Sequence, residues 1–386
     1  MLLLLLSLPL GAVLQPWLWP QRSQQPAVPR GVLAPLLLVT VPGLSTAHVG
    51  HLSGDDGATP NLDRLAREGV SFTRFWAASN NPVASAAALL TGRAVSQTGV
   101  TGLGHVPPPG TITLTRQLQR RGHPGVALLA DARVAGPTLA RHFGQVISSG
   151  QDGRPELDTE ALLALAVEAL LAQPDAFVWV DLPATGLLQE GPARPAAASA
   201  LDAALGRALA ALESAQRLET LMLCVTGTSG EPFPADNLFE PALAVPCLLR
   251  LPGQAFRGRR LHLAAGSVDL TPTLAELVLK RQGSSSWEGL CGTSLMSKLS
   301  GGVGRRRVRV AEGLHRADAS GEPVLSRAVR MADTKLIAPA GAAGQASLYD
   351  LSADPDERQD RGPERPLVVD AMRRHLQTWM AACGSP

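Results

Sequence analysis

Tyrosine is almost missing from this chain: Tyr349 stands alone among 386 residues, while Ala, Leu, Gly and Arg dominate. That skew reads as compositional bias rather than as a functional signature. Charge of either sign is equally muted, with 35 Lys and Arg against 33 Asp and Glu. Nucleic-acid binding rests on a clustered basic face, and a net charge of +2 gives no argument for one. Only four cysteines occur, Cys224, Cys247, Cys291 and Cys383, and none forms a C-x-x-C pair. A metal–thiolate site is therefore not expected. Cys224 and Cys247 lie in the apolar runs LMLCVT and VPCLLRL, where a buried free thiol is the expected state. Should disulfides form, three connectivities remain open. No internal repeat is visible.

What is present is ample apolar content. At 45% hydrophobic, a chain of this length can build one large domain with a smaller appendage. Residues 1–20 (MLLLLLSLPLGAVLQPWLWP) carry no charged side chain. Such a run is expected to act as a secretory signal or a retained membrane anchor, with Trp17 and Trp19 at the interface. No Lys or Arg precedes it, and no cysteine follows to make a lipid anchor. Residues 21–31 form a polar, Pro-rich linker, so an exported protein, periplasmic or extracellular or membrane-anchored, is expected.

Short continuous apolar runs alternate with helical patterns through the next part of the chain. Residues 35–41 (PLLLVTV) have the pattern of a strand buried on both faces. Thr59-Pro60 supplies an N-cap and first-turn proline for a helix over 61–68, closed by Gly69. Further helices are expected at 114–121, 159–171, 198–214 and 269–279, with strands at 126–130, 177–180, 221–226 and 247–251. Beyond breaks at 283–286 and 300–304 the pattern turns strand-rich, at 306–310, 328–331, 335–339 and 348–350, before a last helix over 367–381. The alternation predicts an α/β fold with a mainly parallel sheet flanked by helices, and a small strand-rich C-terminal subdomain. The expected divisions are 1–20, 21–31, a main domain over 32–300, and a C-terminal subdomain of the same fold over 301–386.

The stretch 59–93, TPNLDRLAREGVSFTRFWAASNNPVASAAALLTGR, resembles the sulfatase family of the alkaline-phosphatase superfamily. There TPNLDRLA-x-EGV-x-F leads into the nucleophile motif C-x-P-S-R-x-x-x-x-T-G-R. Further segments are similar in the same order: 200–230, then 238–253 (LFEPALAVPCLLRLPG), 267–277 (SVDLTPTLAEL), 330–337 and 348–355 (LYDLSADP). Several ordered matches are far more specific than one. The resemblance implies the superfamily's α/β fold, a cysteine oxidised to formylglycine, and a bound divalent cation.

Read onto this chain, the resemblance implies a degenerate site. The nucleophile cysteine falls on Pro82, whose side chain has no heteroatom, the motif proline on Ala84, its serine on Ser85 and its arginine on Ala86; Arg93 is retained and would cap a helix end or brace the pocket. The aspartates that follow the first strand fall on Pro42 and on Gly43 or Ala47, while His48 and Gly50 persist. The S-D-H-G-E element reads Gly227-Thr228-Ser229-Gly230-Glu231, so its aspartate falls on Thr228 and its histidine on Ser229. The family would use Ca or another divalent cation held by anionic oxygens. With those lost, no cofactor is expected, no metal ligand and no catalytic residue. In the regions that carry the family's Lys and His, Asp131, Arg133 and Asp181 are the only ionisable groups; a strand-end role is expected for both aspartates over a catalytic one.

Possible rescues are weak. Asp55-Asp56 sits in Gly-rich turn chemistry and reads as a surface turn. Ser79 or Ser85 could stand for the hydroxyl nucleophile of phosphatase relatives, but these also need metal ions. His48, His51, His105, His123 and His142 show no ligand spacing. Basic clusters at 257–260 and 305–309 suit a sulfated or anionic partner, or simply a solvated face. The reading is a sulfatase-like pseudoenzyme that binds or scaffolds, its partner a sulfated or phosphorylated ligand or another protein. Two alternatives stand beside it: an active sulfuric or phosphoric ester hydrolase using an unrecognised residue set, and a decayed paralogue.

Overall fold

A computed structural model describes residues 34–54, 58–103, 105–134, 139–140, 142–149, 156–184, 186–189, 193–231, 237–279, 287, 289–302, 308–316, 324–340 and 345–384. The expected leader and linker, Asp55-Asp56, Arg305–Arg307 and the 283–286 break lie outside them. The strands are β1 Leu36–Pro42, β2 Val70–Phe72, β3 Phe75–Trp76, β4 Gly125–Leu129, β5 Gln145–Ser148, β6 Phe177–Asp181, β7 Met222–Ser229, β8 Cys247–Arg250, β9 Arg259–Leu261, β10 Ala265–Gly266, β11 Arg309–His315, β12 Val324–Met331, β13 Thr334–Pro339 and β14 Ser347–Asp350. The principal helices are α1 Pro60–Glu68, α2 Pro82–Thr91, α3 Leu114–Gln119, α4 Thr159–Ala172, α5 Ala193–Ser214, α6 Leu270–Leu279 and α7 Pro366–Cys383.

Eight strands form the main sheet in the order β5-β4-β6-β1-β7-β8-β2-β9. The block from β5 to β7 is parallel, β8 is antiparallel to both its neighbours, and β9 runs parallel to β2. The mainly parallel α/β reading holds. β1 is buried at every residue because layers cover both faces. Leu36 and Leu38 pack with Phe177, Trp179, Leu89 and Leu274 on one side. Leu37, Val39 and Val41 pack with Leu62, Leu163 and Leu205 on the other. A continuous apolar run is what burial on two faces demands.

The C-terminal strands make an antiparallel sheet, β11-β12-β13-β14. One face seats Ala328, Ile337 and Tyr349 against Trp76 of β3, and the other seats Val329, Leu336 and Leu348 under Met372 and Leu376 of α7. Among the described residues no helix is long and apolar enough to cross a membrane. The four cysteines are free.

Three local expectations change. The strand placed at 306–310 starts at Arg309 and continues to His315, because its pairing with β12 runs from Arg309↔Arg330 to His315↔Val324. Arg309 is not on a solvated face: it is 5% exposed, with its guanidinium 4.9 Å from the Trp76 ring centroid. Thr59 does not cap α1 with its side chain, since its hydroxyl donates to the His48 carbonyl at 3.1 Å. Asp202 of α5 takes the capping role, accepting from the Asn61 and Leu62 amides at 3.1 and 2.8 Å.

Candidate functional site

In open α/β sheets, ligands sit beyond the carboxyl ends of the strands. Here β1, β6 and β7 finish side by side, with Pro42 in register with Ser229 across a bulge and Thr40 in register with Asp181. The positions expected to hold metal ligands are thereby brought together, but with other chemistry. Pro42 ends β1. Gly43 turns left-handed, φ +81°, and its N–H donates to the Ser229 carbonyl and hydroxyl at 3.1 and 3.2 Å. A Cβ there would meet Leu188 Cδ2 at 2.8 Å and Leu187 Cβ at 3.0 Å. Thr228 is 1% exposed and its Oγ1 has no hydrogen-bond partner. Among the described residues, no group of three His, Cys, Asp or Glu side chains is placed to hold a metal ion.

The expected nucleophile segment is helix α2, which was not anticipated as a helix. Its signals were available: Asn81 as N-cap, Pro82 at the first helical position, and Gly92 as a left-handed C-cap at φ +66°. The Asn81 side-chain oxygen accepts from the Val83 and Ala84 amides at 3.0 and 3.2 Å. Ser85 is fully buried; its hydroxyl accepts from the Ser79 amide at 2.9 Å and donates to the Ser79 carbonyl at 3.0 Å. Ala86 is sealed in the core. Arg93 lies past the helix, where its guanidinium covers Gly289: a Cβ on that glycine would meet it at 2.8 Å.

Beside Ser229 lies a polar cluster. Arg194 of α5 pairs with Glu231 at 2.7 Å, and the Ser45 hydroxyl donates to the other Glu231 oxygen at 3.0 Å. The Ser45 amide donates to His48 Nδ1 at 3.1 Å, so that nitrogen is the acceptor and the ring proton sits on Nε2. Burial lowers the His48 pKa, with Arg194 adding to the effect and Glu231 opposing it. The arrangement is a capping box on the turn at Thr46–His48, not a nucleophile–base pair, since Nδ1 is already engaged. Ser45 and Arg194 carried no recognisable spacing in the sequence.

Asp181 ends β6 deep in the sheet, and burial lifts its pKa to about 7, against a hydrogen bond from Thr40 and with help from the Asp131 charge. The other histidines singled out in the sequence have partners of their own. His51 contacts Ser71, His105 contacts Thr101, His123 contacts the Asp175 carbonyl, and His142 contacts Thr113.

A cavity of about 330 Å³ opens over the start of α2. Pro82, Ser229 and Glu231 line it, together with Asn237, Glu312 and the apolar side chains of Leu188, Leu314 and Leu325. Ser85, Ala86, Thr228 and Arg93 do not.

A sulfatase family profile matches residues 36–124. Mouse steryl-sulfatase is 36% identical over 98 residues, a match that spans 22% of this chain and only 16% of that protein. Similar solved structures extend over nearly the whole chain. The yidJ protein of Bacteroides fragilis, assigned as a sulfatase, superposes with a TM-score of 0.78 at 17% identity, covering 93% of this chain and 98% of its own. The phosphonate monoester hydrolase of Agrobacterium radiobacter gives 0.71 at 18% identity, covering 91% and 96%. At such identities these likenesses establish the fold. The chain has the sulfatase-like α/β fold throughout, and its residues 36–124 match the sulfatase family.

Proposed function

We propose that this chain is a sulfatase-fold protein without ester-hydrolase chemistry, exported under the direction of residues 1–20, whose role is binding or scaffolding. The observation that carries the reading is the first turn of α2. Pro82 offers neither a nucleophilic atom nor an N–H, and Asn81 occupies the next two amides. Ser85 has both its proton and a lone pair committed to the Ser79 backbone, and it does not line the cavity. The strand ends support the same conclusion. A hard divalent cation needs anionic oxygens, and Pro42, Gly43, Thr228 and Ser229 provide none. Leu187 and Leu188 occupy the space that a side chain at position 43 would need. The residues present therefore do not fit the family's cation.

The test is turnover. Purified protein is expected to leave an aryl sulfate and an aryl phosphate intact, with or without added Ca, Mg, Mn or Zn. Hydrolysis that survives repurification and is abolished by chelation would end the pseudoenzyme reading.

A further inference from the structure

The cavity over α2 is well formed but has the wrong charge for its fold's usual task. Among the described residues that line it there is no Lys, Arg or His, and the two ionisable ones are the acids Glu231 and Glu312. Their arginines stand behind them: Arg194 holds Glu231 at 2.7 Å and Arg327 holds Glu312 at 2.9 Å. Neither arginine lines the space. The helix N-terminus, which would otherwise attract an anion, is closed by Asn81. A sulfate or phosphate group placed here would lose its hydration and meet carboxylates.

Two observations point to what the cavity takes instead. Asn237 is 2% exposed and lines it. Its Oδ1 accepts from the Phe239 amide at 2.8 Å, which fixes the orientation of the side-chain amide. Its Nδ2 is buried with no hydrogen-bond partner, a state that costs free energy until an acceptor arrives. At the rim, Leu188, Leu314 and Leu325 are 37%, 45% and 47% exposed. Leu314 and Leu325 face each other across β11 and β12, so they form one apolar lip. A volume of about 330 Å³ is at the scale of small-molecule pockets.

We infer that this cavity binds an uncharged, apolar-bodied small molecule carrying a hydrogen-bond-accepting oxygen, an alcohol or ketone rather than its sulfate or phosphate ester. The apolar body lies against the leucine lip and the oxygen accepts from Asn237 Nδ2. The inference rests on the pseudoenzyme reading and sharpens it: the fold would hold the class of molecule its relatives' chemistry releases.

The test uses a matched pair, 2-naphthol and 2-naphthyl sulfate, titrated calorimetrically into the full chain. The alcohol is expected to bind about tenfold tighter or better, the scale of one satisfied buried donor and one avoided charge burial. Asn237→Asp keeps the acceptor for Phe239 and removes the free donor, so it should weaken naphthol binding about five- to tenfold. Leu325→Asn, at an exposed site that folding tolerates, should weaken it by a smaller factor. Equal or tighter binding of the sulfate, no binding of either at millimolar concentration, or naphthol affinity unchanged in both variants would overturn the inference. Release of fluorescent naphthol from the sulfate would instead overturn the pseudoenzyme reading, so the two failures are distinguishable.

Discussion

The hydroxyl of Thr40 and a carboxyl oxygen of Asp181 lie 2.6 Å apart, on neighbouring central strands and in direct register. Trp179 donates its indole N–H to the same hydroxyl at 2.9 Å, so the Thr40 proton is directed to Asp181. The strand-end carboxyl is thus turned into the sheet rather than out toward a ligand. Its pKa near 7 follows first from that burial.

A pH dependence of stability follows. In the unfolded chain this carboxyl titrates near its ordinary 3.8, and in the folded protein near 7. Between those values the folded state retains a proton that the unfolded state has released. Stability is therefore expected to fall as pH rises through the window, by about 1.4 kcal/mol per unit, and to level off above it. Asp181→Asn keeps an uncharged acceptor for Thr40 and removes the titration. Its Tm should equal or exceed the parent's at pH 8 and vary less between pH 5 and pH 8. A parallel decline in both proteins would assign the effect elsewhere.

Rebuilding the nucleophile motif is expected to fail for two separate reasons. Pro82 is half-buried at the cavity, so Pro82→Cys should fold. Ala86 is 0% exposed, and Ala86→Arg would force an unpaired guanidinium into a packed core, at a cost of about 3 kcal/mol or more. Coexpressed with a formylglycine-generating enzyme, the single variant should fold without sulfatase activity, and the double variant should also show a much lowered Tm. Aryl sulfate turnover by either variant would show that a working cation site exists.

Much of this architecture was legible because burial on two faces leaves a plain mark. The run at 35–41 became β1, and the alternation beyond it became the parallel block with its helices, most ends falling within a few residues. Pro42 and Ser229 were singled out only through the resemblance; they meet because β1 and β7 are neighbours in the sheet, which their order in the chain, with five strands between them, does not give. What could not be read were partners supplied from far along the chain. Asp202 caps a helix 140 residues earlier, and Arg194 reaches Glu231 from a helix with no marked residue. Arg309 looked like part of a solvated basic run because nothing nearby announces the Trp76 ring that covers it. Helix α2 escaped for a different reason, its apolar small residues being read as a motif frame rather than as a capped helix.

Gly43 is expected to be intolerant. Its φ of +81° strains any L side chain, and a Cβ would meet Leu188 at 2.8 Å. Gly43→Ala should lower stability by about 2 kcal/mol or more, combining backbone strain with overpacking. Gly43→Asp should be worse, since its carboxylate would enter a space bounded by Leu187 and Leu188. Chemical denaturation measures both. A stable Gly43→Asp variant that binds Ca would refute the account of the closed cation site.

The last expectation concerns the joint between the main sheet and the C-terminal sheet. Lys335 of β13 is fully buried, 2.8 Å from Glu357 and 3.4 Å from Glu240, with its ammonium 5.0 Å from the centre of the Trp76 ring. Trp76 in turn donates its indole N–H to Glu240 at 3.2 Å. Burial pushes the Glu240 pKa up, yet Lys335, Arg330 and Arg309 together pull it below its ordinary value. Glu357 has less help, and burial leaves it raised despite Lys335. Removing the lysine therefore strands charge that the remaining arginines serve unequally. Lys335→Met should cost about 3–5 kcal/mol, the range for breaking one side of a buried pair. Adding Glu357→Gln removes the stranded carboxylate, so the double variant should recover part of that loss even though it has lost the whole pair. The test is a double-mutant cycle by denaturant unfolding at neutral pH. If the two losses simply add, Lys335 and Glu357 are not energetically coupled, and the joint rests on Glu240 and on the apolar seat of Trp76 among Ala328, Ile337 and Tyr349.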